Sequence, residues 1–290
     1  MSEASQANAG NEPLIRNISD TALWVAVFRA RESERPDALF RDPYARKLAG
    51  ERGEQIAKEL QSAQPEWPYA ARTVRFDEMV RSRVAQGTDM VINLAAGLDT
   101  RPYRLDLPPS LHWVEADLPA ITDYKEQVLA GEKPRCALER VRLDLADVTA
   151  RRELFRELGS RSRKALILTE GLLVYLSREQ VLELARDLAA QPSFTDWGID
   201  MVSPGLLEML QKNLRQLNEA GSPLKFGPEE GPDFFLPAGW KPVEVYSMLK
   251  TAARIKRLPF FMRLLALLPE SNGRQGKRPW GAVVGLTRTS

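Results

Sequence analysis

The feature that most constrains this chain is the rhythm of its middle. After Gly87, short apolar runs of strand length alternate with helical stretches. The strands fall at Met90–Leu94, His112–Ala116, Glu139–Leu143, Ala165–Thr169 and Gly198–Val202, and the helices between them at Ala120–Leu129, Thr149–Leu158 and Arg178–Ala190. Strands that are apolar nearly throughout are buried on both faces, and intervening helices supply the crossovers that parallel strands need. The pattern predicts an α/β chain with a doubly wound, mostly parallel sheet covered by helices on both faces.

Neither end keeps this rhythm. Residues 1–16 are polar and aperiodic and read as a mobile arm; residues 17–290 read as a single domain. Within it, 17–87 form a helical cover, 88–202 the cofactor-binding core, 203–241 a lid-like insertion, and 242–290 the last strands and a helix. The cover holds a helix from Ser19, another opened by Asp42-Pro43 and running toward Leu60, and a third over Tyr69–Val84 after Pro65 and Pro68. Pro204–Ala220 reads as helical. Gly221–Trp240 is rich in Gly and Pro and carries Phe226, Phe234, Phe235 and Trp240, either as the loop's own core or as a lid. Val243–Met248 and Gly281–Thr287 read as strands. Between them a cationic, apolar helix over Thr251–Leu268 is expected to be buried against the sheet rather than laid on a membrane surface.

Composition removes several classes of function. Among 290 residues, 41 Lys and Arg face 39 Asp and Glu, a net charge of +2, which lacks the basic excess of a dedicated nucleic-acid binder. The single cysteine, Cys136, allows neither a disulfide framework nor a Cys-based zinc site, so no metal is expected. The single histidine, His112, opens a strand and does not fit a Ser-His-Asp triad. The polar start lacks an apolar signal core. The greasiest run, Leu258–Leu268, contains Pro259 and Arg263 and is too short to span a bilayer. The expectation is a cytoplasmic protein without membrane or nucleic-acid partners.

The chemistry is concentrated in MVINLAAGLDTR, residues 90–101. A buried strand runs into a turn of small residues at the carboxyl edge of the sheet, where doubly wound folds bind ligands. Gly97 supplies backbone conformations closed to other residues, and twenty residues later the second strand ends at Asp117, placed to accept from ribose hydroxyls. Nicotinamide dinucleotides and S-adenosylmethionine both use this arrangement. The G-x-G-x-x-G of dinucleotide folds is missing, with Ala95 at its first glycine. A pyrophosphate needs close backbone approach at a helix N-terminus, whereas S-adenosylmethionine has no phosphate and suits the degenerate turn better.

The runs NLAAGLDTRPYRL, EADLP, LDLAD and LTEGLLVYL, in that order, resemble the S-adenosylmethionine-dependent methyltransferases related to leucine carboxyl methyltransferase. TALWVAVFRARESERPDALFRDPYARKLAG and AARTVRFDEMV resemble the bacterial subgroup, and the likeness spans residues 19 to 202. It implies a Rossmann-like, seven-stranded class I methyltransferase fold with S-adenosyl-L-methionine as cofactor and S-adenosyl-L-homocysteine as product. It places Arg72 on the methionyl carboxylate, Gly97 in the turn against the cofactor and Asp117 on the ribose. Asp144 and Leu145 fall by the adenine, and Glu170 at the methionyl or substrate end. Many relatives have Gly where this chain has Ala95. The expected reaction is O-methylation of a carboxylate or hydroxyl on a small-molecule acceptor. Glu170 and Tyr175 are the candidate catalytic residues, and Arg29, Arg31 and Arg101 are candidates to hold an anionic acceptor. Protein C-terminal carboxyl methylation and non-catalytic cofactor binding remain as alternatives.

Overall fold

The computed structural model describes residues 19–60, 65–214, 221–269 and 277–289. The arm expected over 1–16 and the end of the helix expected over Pro204–Ala220 lie outside the described residues. Seven strands, β1 (Met90–Leu94), β2 (His112–Asp117), β3 (Ala137–Arg142), β4 (Ala165–Thr169), β5 (Phe194–Val202), β6 (Trp240–Ser247) and β7 (Gly281–Arg288), form one sheet. Their order is β3-β2-β1-β4-β5-β7-β6. The first five run parallel, with Met90 level with both His112 and Ala165. β7 lies antiparallel between β5 and β6. Strand order reverses between β1 and β4, so a crevice opens at their carboxyl ends.

β1 and β4 coincide with the predicted strands and are buried at every position. β5 begins four residues earlier than predicted, at Phe194. Its polar Asp196 disguises the start, and the structure satisfies that carboxylate with Arg83 Nε at 2.9 Å. On one face of the sheet, α6 (Val148–Arg161) and α7 (Arg178–Ala189) bury Phe155, Leu158, Leu184 and Leu188 against β1, β4 and β5. On the other, α3 (Trp67–Ala85) packs Phe76, Met79 and Val80 against Val91, Trp113 and Leu166. α1 (Ser19–Glu34) and α2 (Ala45–Leu60), the latter kinked at Gly50 (φ +57°), form the cover together with α5 (Pro119–Val128). Trp24, Phe28, Leu48 and Ile121 meet there in a second core.

Of the two readings of the aromatics after Gly221, the structure shows core packing. Phe226, Phe234, Phe235 and Trp240 are buried in the main core, where Trp197 stacks edge-on against Phe235 at 5.2 Å and Trp240 at 5.4 Å. The Trp240 indole donates to the carbonyl of Ala185 at 2.9 Å, which ties β6 to α7.

The helix expected over Thr251–Leu268 also takes another form. α9 (Met248–Arg254) is short, and the backbone turns left-handed at Lys256 (φ +58°). The N–H groups of Arg257 and Leu258 then both donate to Ala252 O. Pro259 cannot extend a helix, and among the described residues two 3₁₀ turns follow, Phe260–Met262 and Leu265–Leu267. Ala252 and Leu258 are buried as expected, and Met262 and Ala266 pack partly buried against them, but the other apolar side chains from Phe260 to Leu268 face outward.

Candidate functional site

β1 delivers its last residue, Leu94, into the turn 95–100, where Ala95 (φ +53°) and Gly97 (φ +49°) both hold left-handed backbone. For Ala95 that conformation costs about 1 kcal/mol. A Cβ on Gly97 would meet the methyl of Ala22 at 3.3 Å, so the turn packs closely under α1 as well as bending sharply. Beside it, β2 ends at Asp117, whose Oδ2 accepts the Gly97 N–H at 2.6 Å and whose Oδ1 accepts the Leu118 N–H at 2.7 Å. A carboxylate has about four acceptor sites, so two remain after these bonds. Burial pushes the Asp117 carboxyl up, and the Gly97 and Leu118 N–H groups oppose that rise.

Next to this turn lies a ladder of alternating charges. Arg104, at the end of the short helix α4 (Arg101–Arg104), grips Asp77 of α3 with two nitrogens at 2.6 and 2.7 Å. Arg101 reaches Asp77 at 2.7 Å, Asp99 at 2.9 Å and Glu170 at 2.8 Å. Asn93 adds a hydrogen bond to Asp99 at 2.8 Å. Arg72 then lies 3.0 Å from Glu170 through Nε and 3.1 Å from Asp200 through Nη1. Asp200 also accepts the Gly171 N–H at 2.7 Å. The Arg72 Nε is buried and makes no well-formed hydrogen bond, despite its nearness to Glu170. Burial pushes the Asp99 carboxyl up, but Arg101, Lys125 and Arg104 outweigh that and hold it well below the usual range. Asp77 is lowered in the same way, its burial overcome by Arg104 and Arg101. Four carboxylates share three guanidinium groups here, an excess of one negative charge.

The turn and the ladder both open onto a cavity of about 1630 Å³. Arg72, Gly97, Asp117, Asp144, Leu145 and Glu170, singled out in the sequence, all line it, as does Tyr175. Asp144 is exposed, with one oxygen accepting the Ala146 N–H at 2.9 Å. Tyr175 shares a hydrogen bond with Thr21, and its burial pushes the phenol up, so it keeps its proton at neutral pH. Tyr69, on the same wall, is raised by burial as well.

The three arginines expected to hold an acceptor are placed differently. Arg31 pairs with Glu54 and Glu66 and is not among the lining residues. Arg29 lines the cavity, but its guanidinium is taken by Asp42 and by the carbonyl of Leu98. Arg101 is engaged by its three carboxylates. The sequence reading missed Asp200, Asp99 and Asp77. Asp200 carried the same signal as Glu170, a carboxylate near the end of a buried strand, which is costly unless it faces a cleft or a partner. Walls further along the chain come from α8 (Pro204–Asn213), from α9 and from the segment around Met262 and Leu265.

Residues 22–189 match the profile of the leucine carboxyl methyltransferase family. A Mycobacterium tuberculosis protein provisionally named an S-adenosyl-L-methionine-dependent methyltransferase is 35% identical over 176 residues, covering 55% of this chain and 58% of that protein. One of the same provisional name from Saccharopolyspora erythraea is 36% identical over 203 residues, covering 62% and 67%. The chain thus spans about three fifths of the length of the curated relatives it matches. Among solved structures, a provisionally named methyltransferase from Thermobifida fusca YX superposes with a TM-score of 0.60 at 18% identity, covering 99% and 100% of the two chains. A DUF574 family protein from Streptomyces avermitilis gives 0.56 at 14% identity, covering 91% and 97%. At such identities the likeness is one of fold, and that fold is the class I methyltransferase arrangement. Among the described residues no helix is long and apolar enough to cross a membrane.

Proposed function

This chain belongs to the leucine carboxyl methyltransferase family, and from that premise we propose that it is an S-adenosylmethionine-dependent methyltransferase acting on an oxygen. The observation that carries the reading is Asp117 bridging to the Gly97 turn at the cavity wall, with two acceptor sites to spare. In this reading residues 17–290 work as one domain. Asp117 accepts from the ribose hydroxyls, Gly97 packs against the nucleoside, and Asp144 and Leu145 border the adenine. Arg72 takes the methionyl carboxylate, and Glu170 faces the methionyl end. The residues fit the cofactor because a carboxylate with two open acceptor sites, Asp117, and a guanidinium, Arg72, line the same cavity.

When bound, the cofactor supplies a methyl group already activated on a sulfonium. The protein's own work is then alignment and exclusion of water. The ladder's excess negative charge favours a cationic ligand, and its fixed dipoles need no reorganisation. A carboxylate acceptor agrees best with the side chains present. It needs no base, the buried phenols of Tyr69 and Tyr175 hold their protons, and His112 opens β2 at the amino edge of the sheet. Glu170 and Tyr175 are therefore assigned to positioning rather than to proton removal. A small-molecule acceptor and a cytoplasmic setting complete the reading.

The test is a calorimetric titration with S-adenosylmethionine and S-adenosylhomocysteine, with NAD and NADP as controls and with Asp117→Ala and Arg72→Ala in parallel. Micromolar binding of the first two alone, lost in both variants, is the expected result. Binding of a dinucleotide, or of none of the four, overturns the assignment.

A further inference from the structure

Between Phe260 and Leu268 the chain leaves six large apolar side chains in solvent. Phe260, Phe261, Leu264, Leu265, Leu267 and Leu268 are between 50% and 83% exposed, and Arg263 is the one charged residue in the run. Contiguous exposed apolar surface of this kind marks a binding surface. This strip is continuous with the cavity, because Leu265 and Leu268 line the cavity too, together with Met262. On α8, Met209 is likewise both a lining residue and 42% exposed. The cavity, at about 1630 Å³, is larger than the roughly 300–1,000 Å³ of sites that hold one small ligand, so room remains beyond a nucleoside cofactor. Among the described residues from Leu206 onward, the charged lining residues are Lys250 and Arg278. That part of the wall is largely apolar and open to the surface along a greasy edge.

We propose that the methyl acceptor is a long-chain carboxylate, with its anionic head toward Arg278 and its tail running out over Met262, Leu265 and Leu268. The inference rests on the methyltransferase reading above for the reaction, but not for the binding. A carboxylate oxygen forms the new O–C bond with its own electron pair, and the pair of the breaking C–S bond stays on sulfur. The products are a methyl ester and a thioether, and no proton moves.

The experiment titrates the full chain, saturated with S-adenosylhomocysteine, with butyrate, octanoate and hexadecanoate below their micellar concentrations. Binding is followed by calorimetry and by intrinsic tryptophan fluorescence, since Trp24, Trp67 and Trp280 line the cavity. Affinity is expected to rise about fourfold per methylene while the tail is being buried, and hexadecanol should bind at least about tenfold more weakly than hexadecanoate for want of a charge-assisted contact. Leu265→Ser combined with Leu268→Ser should weaken hexadecanoate roughly tenfold or more and leave S-adenosylhomocysteine affinity unchanged. Met209→Ser tests the same path from an independent helix. With S-adenosylmethionine, methyl hexadecanoate should appear by mass spectrometry.

Cofactor binding without any dependence on chain length overturns the proposal. So does binding to anionic vesicles but to no free amphiphile, or a dimer that the Leu265 and Leu268 changes dissociate while hexadecanoate fails to bind. If hexadecanoate binds and S-adenosylhomocysteine does not, the amphiphile site stands and the methyl-donor reading falls.

Discussion

The two sides of the cavity are built on opposite physical terms. From Arg104 through Asp77, Arg101, Asp99, Glu170 and Arg72 to Asp200, every charged side chain has an opposite charge within 3.1 Å. That side is polar, interlocked and largely buried. From Leu206 to Gly281 the described wall is largely apolar, and part of it stands in solvent. A network of buried pairs fixes side chains in one arrangement, because losing any member strands the others. An apolar wall imposes no directions and tolerates ligands of varied outline. The contrast assigns recognition of an invariant, polar ligand to the first side and of a variable, greasy one to the second.

That contrast can be broken most forcefully at Arg101. Arg101→Met leaves Glu170 with Arg72 alone and deprives Asp99 of its direct cation, and buried charges stranded in this way cost about 3–5 kcal/mol. Urea unfolding should show that loss, and a change under about 1 kcal/mol would mean the ladder is not interlocked. Next in size is Asp117→Ala, which removes the acceptor from both Gly97 and Leu118. Cofactor affinity measured by calorimetry should drop by about 3 kcal/mol, roughly a hundredfold, if charge-assisted bonds to the ribose are lost.

Acid provides a third probe, and the two sides of the turn respond with opposite sign. Asp77 and Asp99 are lowered on folding, so their stabilisation is complete above the unfolded value of about 3.9 and is lost as pH falls through their folded values. Asp117 is raised, so its contribution is present below its unfolded value and is lost as pH rises through the folded one. Denaturation midpoints measured from pH 7 down to pH 2 should therefore collapse only below about pH 4, and Asp99→Asn should flatten that collapse. Without flattening, Asp99 is not a main source of acid lability.

Smaller still is Ala95→Gly. Relief of the left-handed conformation at Ala95 is worth about 1 kcal/mol and is offset by the greater freedom of glycine in the unfolded chain. Thermal unfolding should shift upward by only a degree or two, and a marked loss would show that the Ala95 methyl contributes packing. The smallest effect belongs to the apolar side. Leu264→Ser with Leu267→Ser should leave stability within about 0.5 kcal/mol, because both side chains are already in solvent. A larger loss would mean that the strip is covered in the folded protein and would erase the contrast.

The parallel core was legible because β1 and β4 are apolar at every position, a pattern that solvent-facing strands do not show. The turn and its acid were legible because Gly97 and Asp117 belong to adjacent strand ends, at a spacing set by one crossover. β5 was read short because Asp196 interrupts its apolar run, and only Arg83, 113 residues away in sequence, makes that interruption tolerable. The helix read over Thr251–Leu268 failed for a local reason, since Pro259 denies an N–H to the ladder and Lys256 has already turned the chain. The aromatics after Gly221 gave no sign of which surface they would meet.

By itself the sequence determined the strands and helices of the central core, their alternation, and the small-residue turn that ends β1. These follow from side-chain periodicity and from the conformations a backbone can adopt over a few residues. Only the tertiary structure decided which charges neutralise which. Arg72 reaches Asp200 across 128 residues because β4 and β5 bring their carboxyl ends under α3. It also decided that most of the apolar run after Pro259 stays exposed, with Leu265 and Leu268 at the cavity wall. Pairing and exposure depend on the order in which strands assemble, and no local pattern carries that order.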